Sequence, residues 1–143
     1  MRIKMELARI LIRESQPAQL IELRESDAPA EQARSFPIII GISEAIAIDR
    51  RLAGVDIGRP MTHDLIINTI NQLGASIESV TITKVVNATF YAEIIVNDHQ
   101  GEPTMIDARP SDAIAIAVTC QVPIYADDSV LSITTPPMDD LAQ

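Results

Sequence analysis

Asp107-Ala108-Arg109-Pro110-Ser111-Asp112-Ala113-Ile114-Ala115-Ile116-Ala117-Val118 is the stretch whose reading sets the fold class. A strand ends near Ile106 and gives way almost at once to a helix. Pro110 suits the first helical position, where its fixed φ is already helical and its missing N–H has no intrahelical partner to lose. Asp112 falls in the first turn, where the helix dipole favours a negative charge. From Ala113 onward Ala alternates with Ile, which makes a thin apolar helix able to lie close against a sheet. Val122-Pro123 must stop it.

A second junction, Arg59-Pro60-Met61-Thr62-His63-Asp64, repeats the order Arg-Pro, hydroxyl, acid and opens another helix. Thr62 is its expected N-cap, Gly74 its C′ residue, and Ile66, Ile70 and Leu73 its core stripe. Ser43 is the expected N-cap of a further helix through Leu52, closed by Gly54. Strand patterns run through Ile3, Met5 and Leu7, then residues 19–23 after the turn Ser15-Gln16-Pro17, then residues 35–40. A hairpin is expected from residues 77–86 and 89–96 around Asn87-Ala88. Residues 26–31 and 97–101 read as loops. The fold class is therefore α+β: a single compact domain with a mostly antiparallel or mixed sheet and about three main helices. The domain is expected over residues 1–132, with a flexible tail at 133–143. One internal echo runs through the chain, Ser43-Glu44-Ala45-Ile46-Ala47-Ile48 against Ser111-Asp112-Ala113-Ile114-Ala115-Ile116. It fits either a duplicated strand–helix unit or two capped small-residue helices that converged on one pattern.

Composition narrows the function. The chain of 143 residues is 47% apolar but only 3% aromatic, with no Trp, so its core is aliphatic and offers few stacking platforms. Its net charge of −9 repels a phosphate backbone, so nucleic-acid chemistry here needs local Arg and Lys or bound divalent cations. Cys120 is the single cysteine, which excludes an intramolecular disulfide and reads as buried filler. The alternating N-terminus reads as a strand rather than a signal peptide, and no run approaches the roughly 18 apolar residues of a membrane span. A soluble, cytoplasmic protein without a membrane segment is expected. Walker, dinucleotide, HExxH, paired CxxC and Gly-x-Ser-x-Gly motifs are all lacking.

The polar residues at the two junctions can be read in two ways. Asp64, Asp112 and Glu44 each fall in a first helical turn, where an acid is stabilising with no further role. Arg59 and Arg109 can likewise be loop clamps. Taken together, however, they supply the parts for metal-assisted phosphodiester cleavage. In that reading His63, Asp64 and Arg109 are catalytic, and Arg59, Arg109 and Ser111 hold substrate. Asp107, Asp112 and Glu44 bind Mg²⁺ or Mn²⁺, His63 moves a proton, and Arg109 neutralises developing charge. His99, in a polar turn, reads as a solvated loop residue.

The junctions, with Ile39-Ile40-Gly41, Glu44-Ala45-Ile46-Ala47-Ile48, Phe90-Tyr91-Ala92 and Pro123-Ile124-Tyr125, resemble the bifunctional nuclease family from about Ile3 to Leu131. The resemblance implies a small α+β domain, usually a homo-oligomer. It also implies nuclease activity, attributed to plant members on both DNA and RNA. Some relatives append a helical module after this domain, where here only a short proline-containing tail is expected. A nucleic-acid substrate and a homodimer or larger assembly follow as expected partners. The high aliphatic content and the strand at residues 90–96 also point to uncovered apolar surface. The competing reading from another class is a non-catalytic regulatory module whose Arg–Asp–His cluster binds an anionic ligand or a partner protein.

Overall fold

The computed structural model describes residues 1–134. Its strands are β1 (Arg2–Leu11), β2 (Ala18–Glu25), β3 (Ser35–Gly41), β4 (Ser76–Val86), β5 (Thr89–Asn97), β6 (Pro103–Ala108) and β7 (Ile124–Asp127). Helices α1 (Ile42–Leu52) and α2 (Thr62–Gln72) lie between β3 and β4, α3 (Pro110–Cys120) follows β6, and α4 (Asp128–Thr134) follows β7. The sheet is mixed and seven-stranded, in the order β3-β2-β1-β7-β4-β5-β6. This is the α+β class expected from the pattern, with a short fourth helix added to the three long ones. No described helix is long and apolar enough to cross a membrane.

The architecture is two similar halves joined at β7. In each half a three-stranded antiparallel meander ends in a helix: β1-β2-β3-α1 and β4-β5-β6-α3. Four residues join them. β7 pairs antiparallel with β1, Met5 opposite Ile124, and parallel with β4, Val80 opposite Ile124. β1 and β4 consequently run antiparallel to each other, as a twofold about the sheet normal would require. The sequence echo falls on equivalent places, since Ser43 and Ser111 are second, and Glu44 and Asp112 third, in their helices. The β4–β5 hairpin turns through Asn87 and Ala88, both at positive φ (51° and 65°), the geometry of a two-residue type I′ turn.

Helix α3 is the centre of the helical layer. Ser111 and Ala113 through Ala117 are all buried, and the helix packs on β4 and β5 with α1 and α2 beside it. Its Ala and Ile side chains meet Ile21, Phe36, Ile82 and Ile94 in one aliphatic core. The sheet curls around this core until β3 and β5 approach: the rings of Phe36 and Phe90 stack with centroids 5.4 Å apart.

Three details depart from the sequence reading. The N-caps are Gly41 and Met61 rather than Ser43 and Thr62, because each helix begins one or two residues earlier. In α2 the acid supplies the carboxylate half of a capping box: the Met61 N–H donates to Asp64 Oδ2 at 2.9 Å. Of the expected stripe only Ile70 packs against the core; Ile66 and Leu73 are exposed, Leu73 by 78%, and Ile67 packs inward in their place. Helix α2 lies at the periphery, so its buried stripe is narrower than its apolar content suggests. Helix α4 continues through Thr134, and positions 135–143 of the expected tail lie outside the described residues.

The junction at β7 yields a stability test. Ile124 is buried where β7 touches both halves, so Ile124→Ala should destabilise the domain by about 2–5 kcal/mol. Ile39→Ala, on an edge-strand side chain that is 73% exposed, should stay within roughly 0.5 kcal/mol of wild type. Urea unfolding of the two variants measures the difference.

Candidate functional site at the three helix starts

The first turns of α1, α2 and α3 each carry an acid at the third position: Glu44, Asp64 and Asp112. Because α3 lies beside both other helices, their N-terminal side chains can meet. Asp112 is the hub. Arg109, the extended N-cap of α3, donates from Nε to Asp112 Oδ2 at 2.9 Å and from Nη2 to Asp112 Oδ1 at 3.1 Å. The same Nη2 reaches Glu44 Oε1 of α1 at 3.3 Å. His63 of α2 places Nε2 3.0 Å from Asp112 Oδ1. Four residues from three helix starts thus form one network.

Its electrostatics follow from these contacts. Burial pushes the Asp112 carboxyl upward, but the bonds from Arg109 and His63 outweigh burial and hold it below the ordinary carboxylate range. The Arg109 guanidinium is raised in turn, chiefly by its bond to Asp112. His63 is mostly enclosed, whereas Arg109 stands 65% open to solvent. Glu44 folds back over the start of α1, and a Cβ at Gly41 would collide with its carboxylate. With a side chain at position 41 the Glu44 carboxylate would have to turn aside at its Oε2, while Oε1 is the oxygen that meets Arg109.

The structure brings together His63, Arg109, Asp112 and Glu44 of the residues singled out in the sequence, with Ser111 buried beside them in the first turn of α3. Asp64 is turned elsewhere: it pairs with Arg51 at the end of α1 and accepts the Met61 N–H. Asp107 lies opposite Glu93 across β5 and β6. It alternates with Ala108, which packs against the core, and so occupies the other face of the sheet. Arg59 sits in the exposed loop before α2 and makes no ion pair with another described residue. Sequence reasoning passed over Arg51, and it took Gly41 as part of a family resemblance without a role beside Glu44. A basic residue in the last turn of α1 and a glycine at a strand–helix junction were the available signals.

The expected Mg²⁺ or Mn²⁺ would need carboxylate oxygens free to face one point. Both Asp112 oxygens are already bonded to Arg109 or His63, and Asp107 is on the opposite sheet face. Among the described residues no three His, Cys, Asp or Glu side chains gather as a metal-holding group. The arrangement as it stands does not fit an ion held by Asp107, Asp112 and Glu44. Its chemical capacity is that of an oriented imidazole beside an exposed guanidinium.

Sequence comparison identifies the class to which this fold and site belong. The profile of the bifunctional nuclease domain matches residues 23–139, and the chain belongs to that family. An uncharacterized protein of Mycobacterium tuberculosis is 40% identical over 123 residues, covering 86% of this chain and 70% of its own length. Bifunctional nuclease 2 of Oryza sativa subsp. japonica is 34% identical over 122 residues, 83% of this chain and 36% of that protein. Bifunctional nuclease 1 of Arabidopsis thaliana is 30% identical over 94 residues, 64% of this chain and 29% of its own length. The chain spans only about a third of each plant protein.

The Asp112 network has a pH signature. A carboxyl held below its ordinary value contributes stability above that range and loses it as pH falls through the depressed value. Asp112→Asn should therefore unfold at lower urea than wild type at neutral pH. The gap should close as the medium is acidified below the ordinary carboxylate range.

Proposed function

We propose that this domain cleaves phosphodiester bonds of DNA or RNA at the His63–Asp112–Arg109 network. The carrying observation is the bridge from Asp112 to both His63 and Arg109, in a chain belonging to the bifunctional nuclease domain family. Asp112 is a positioning residue: by accepting from His63 Nε2–H it fixes the ring and leaves Nδ1 to take a proton. His63 then withdraws the proton of the attacking water or hydroxyl as its oxygen bonds to phosphorus. The P–O bond to the departing oxygen breaks, and the imidazolium or solvent returns a proton to that oxygen. Arg109 keeps Nη1 free of the network and donates from it to a non-bridging phosphoryl oxygen, where negative charge develops. The Arg59 guanidinium, in the exposed loop before α2, supplies a local positive charge against the overall −9.

No step in this scheme is routed through a metal. An ion entering the junction would have Glu44 and Asp112 as its carboxylates, and Arg109 would first have to leave them. A second reading, a non-catalytic anion- or partner-binding module, is favoured by one observation: every Asp112 oxygen is satisfied internally, as in a structural clamp.

The assembly belonging to this reading is a homodimer or larger. The strand expected to leave apolar surface turns Ala92, Ile94 and Val96 into the core. Exposed aliphatics are spread over the described surface, Ile39, Val86, Met105 and Ile106 among them, and one group follows α2: Leu65 and Ile66 within the helix, with Met61 and Leu73 at its caps. Sedimentation of wild type as an oligomer, with Leu65→Glu shifting it to monomer, is the expected result. A monomeric wild type at micromolar concentration removes this part of the proposal.

Cleavage of a labelled oligonucleotide by purified protein, with and without EDTA, tests the chemistry. Wild type should cut in both conditions, and Asp112→Asn should lose about 10²–10⁴-fold in rate. Activity lost in EDTA would assign Glu44 and Asp112 to an ion. A wild type that never cuts leaves the binding-module reading.

A further inference from the structure

Where the sheet curls, a groove of about 950 Å³ opens between β3 and the β4–β5 turn. Its walls include Ile38, Ile40, Val85 and Phe90, and its end is closed by Arg109 and Ser111 at the start of α3. The volume lies within the range of small-molecule sites, and the apolar walls with a few polar groups at one end are typical of them. The groove and the catalytic network share Arg109, so a molecule lying in one is anchored at the other.

The polar end carries unmet hydrogen-bonding capacity. Ser111 is only 6% exposed, yet its hydroxyl makes no hydrogen bond to another described residue, and it lines the groove. The sealed, unpaired side-chain oxygens among the described residues are those of Ser79 and Thr81, whereas the Ser111 hydroxyl opens onto the groove, where a bound molecule can reach it. The first-turn N–H groups of Ser111 and Asp112 have no intrahelical acceptor, and the positive end of the α3 dipole lies with them. Arg109 adds the free Nη1. The groove lining thus holds a hydroxyl and a guanidinium at the N-terminal end of α3.

We propose that the groove is the subsite for one nucleotide unit of the substrate chain, its sugar and base lying along Ile38, Ile40 and Phe90 and its phosphate on Ser111 and Arg109. The inference rests on the nuclease reading above and names the part of the substrate that this face holds. An anion with an apolar body fits the donors and the walls together. The aromatic wall of Phe90, backed by Phe36, provides a face against which a base can stack. Its phosphate, held at Arg109, would sit beside the imidazole of His63. Glu44 and Asp112 give this end two carboxylates against one guanidinium, so binding is modest and a free phosphate ion alone is held weakly.

The test is an NMR titration of the full chain, isotopically labelled at isoleucine methyls and backbone amides. Thymidine 5′-monophosphate should move the methyls of Ile38 and Ile40 together with the amides of Ser111 and Asp112. Inorganic phosphate should move the amides only, more weakly. Ser111→Ala should weaken nucleotide binding several-fold. Ala18→Phe, which places bulk at the β2 side of the groove, should abolish the methyl shifts while the rest of the spectrum stays native. The proposal is overturned if the nucleotide leaves the groove methyls unmoved, if both variants bind as wild type does, or if decanoate displaces the nucleotide at lower concentration. That last result would assign the groove to an acyl anion. Groove shifts in a protein that never cleaves would keep the subsite and remove the nuclease reading. Cleavage with silent groove methyls would do the reverse.

Discussion

The site depends on β7. This strand of four residues holds two three-stranded meanders in one sheet, antiparallel to β1 and parallel to β4. Only with both meanders in register do their terminal helices, α1 and α3, come side by side. Glu44 and Asp112, third in their respective helices, then share one guanidinium. Helix α2 lies against α3 and adds His63. The polar network is thus a consequence of the symmetry of the sheet, and an aliphatic core with little aromatic content makes the close helix approach possible.

Within the network, stability and chemistry draw on the same atoms. Asp112 ties the starts of two helices together and takes up the charge of Arg109, which is reason enough for an acid at that position. The same carboxylate also holds the imidazole of His63, 3.0 Å from Asp112 Oδ1, and Arg109 beside it lines the open groove. Glu44 and Gly41 show the same overlap, since the glycine makes room for a carboxylate that both covers the start of α1 and holds Arg109. Asp64 has only the structural half of this pairing, joining α2 to Arg51 of α1.

Much of this was legible because the informative residues are local. Proline at the first position of α3, acids in first turns and glycines after α1 and α2 mark helix boundaries by short-range chemistry. The two Arg-Pro junctions share one grammar, and they meet through the contact of His63 with Asp112. What escaped is set by direction and by distance. His63 and Asp64 are neighbours in sequence, yet successive helical residues point about 100° apart, so only one faces Asp112. Asp107 and Asp112 are separated by a strand–helix junction, and strand alternation sends Asp107 to the opposite face. β7 follows Pro123 and has too few residues to show a period of its own; long-range pairing alone makes it a strand. Leu73 continues a helical stripe that α2 is too peripheral to bury.

The most direct measurement is the rate at which His63→Ala cleaves a labelled single-stranded oligonucleotide, compared with wild type at a temperature where both are folded by circular dichroism. If the imidazole held by Asp112 moves the proton, the rate falls by about 10²–10⁴-fold while folding is retained. A variant that is folded and cuts at the wild-type rate would contradict the assignment of this network as the catalytic site.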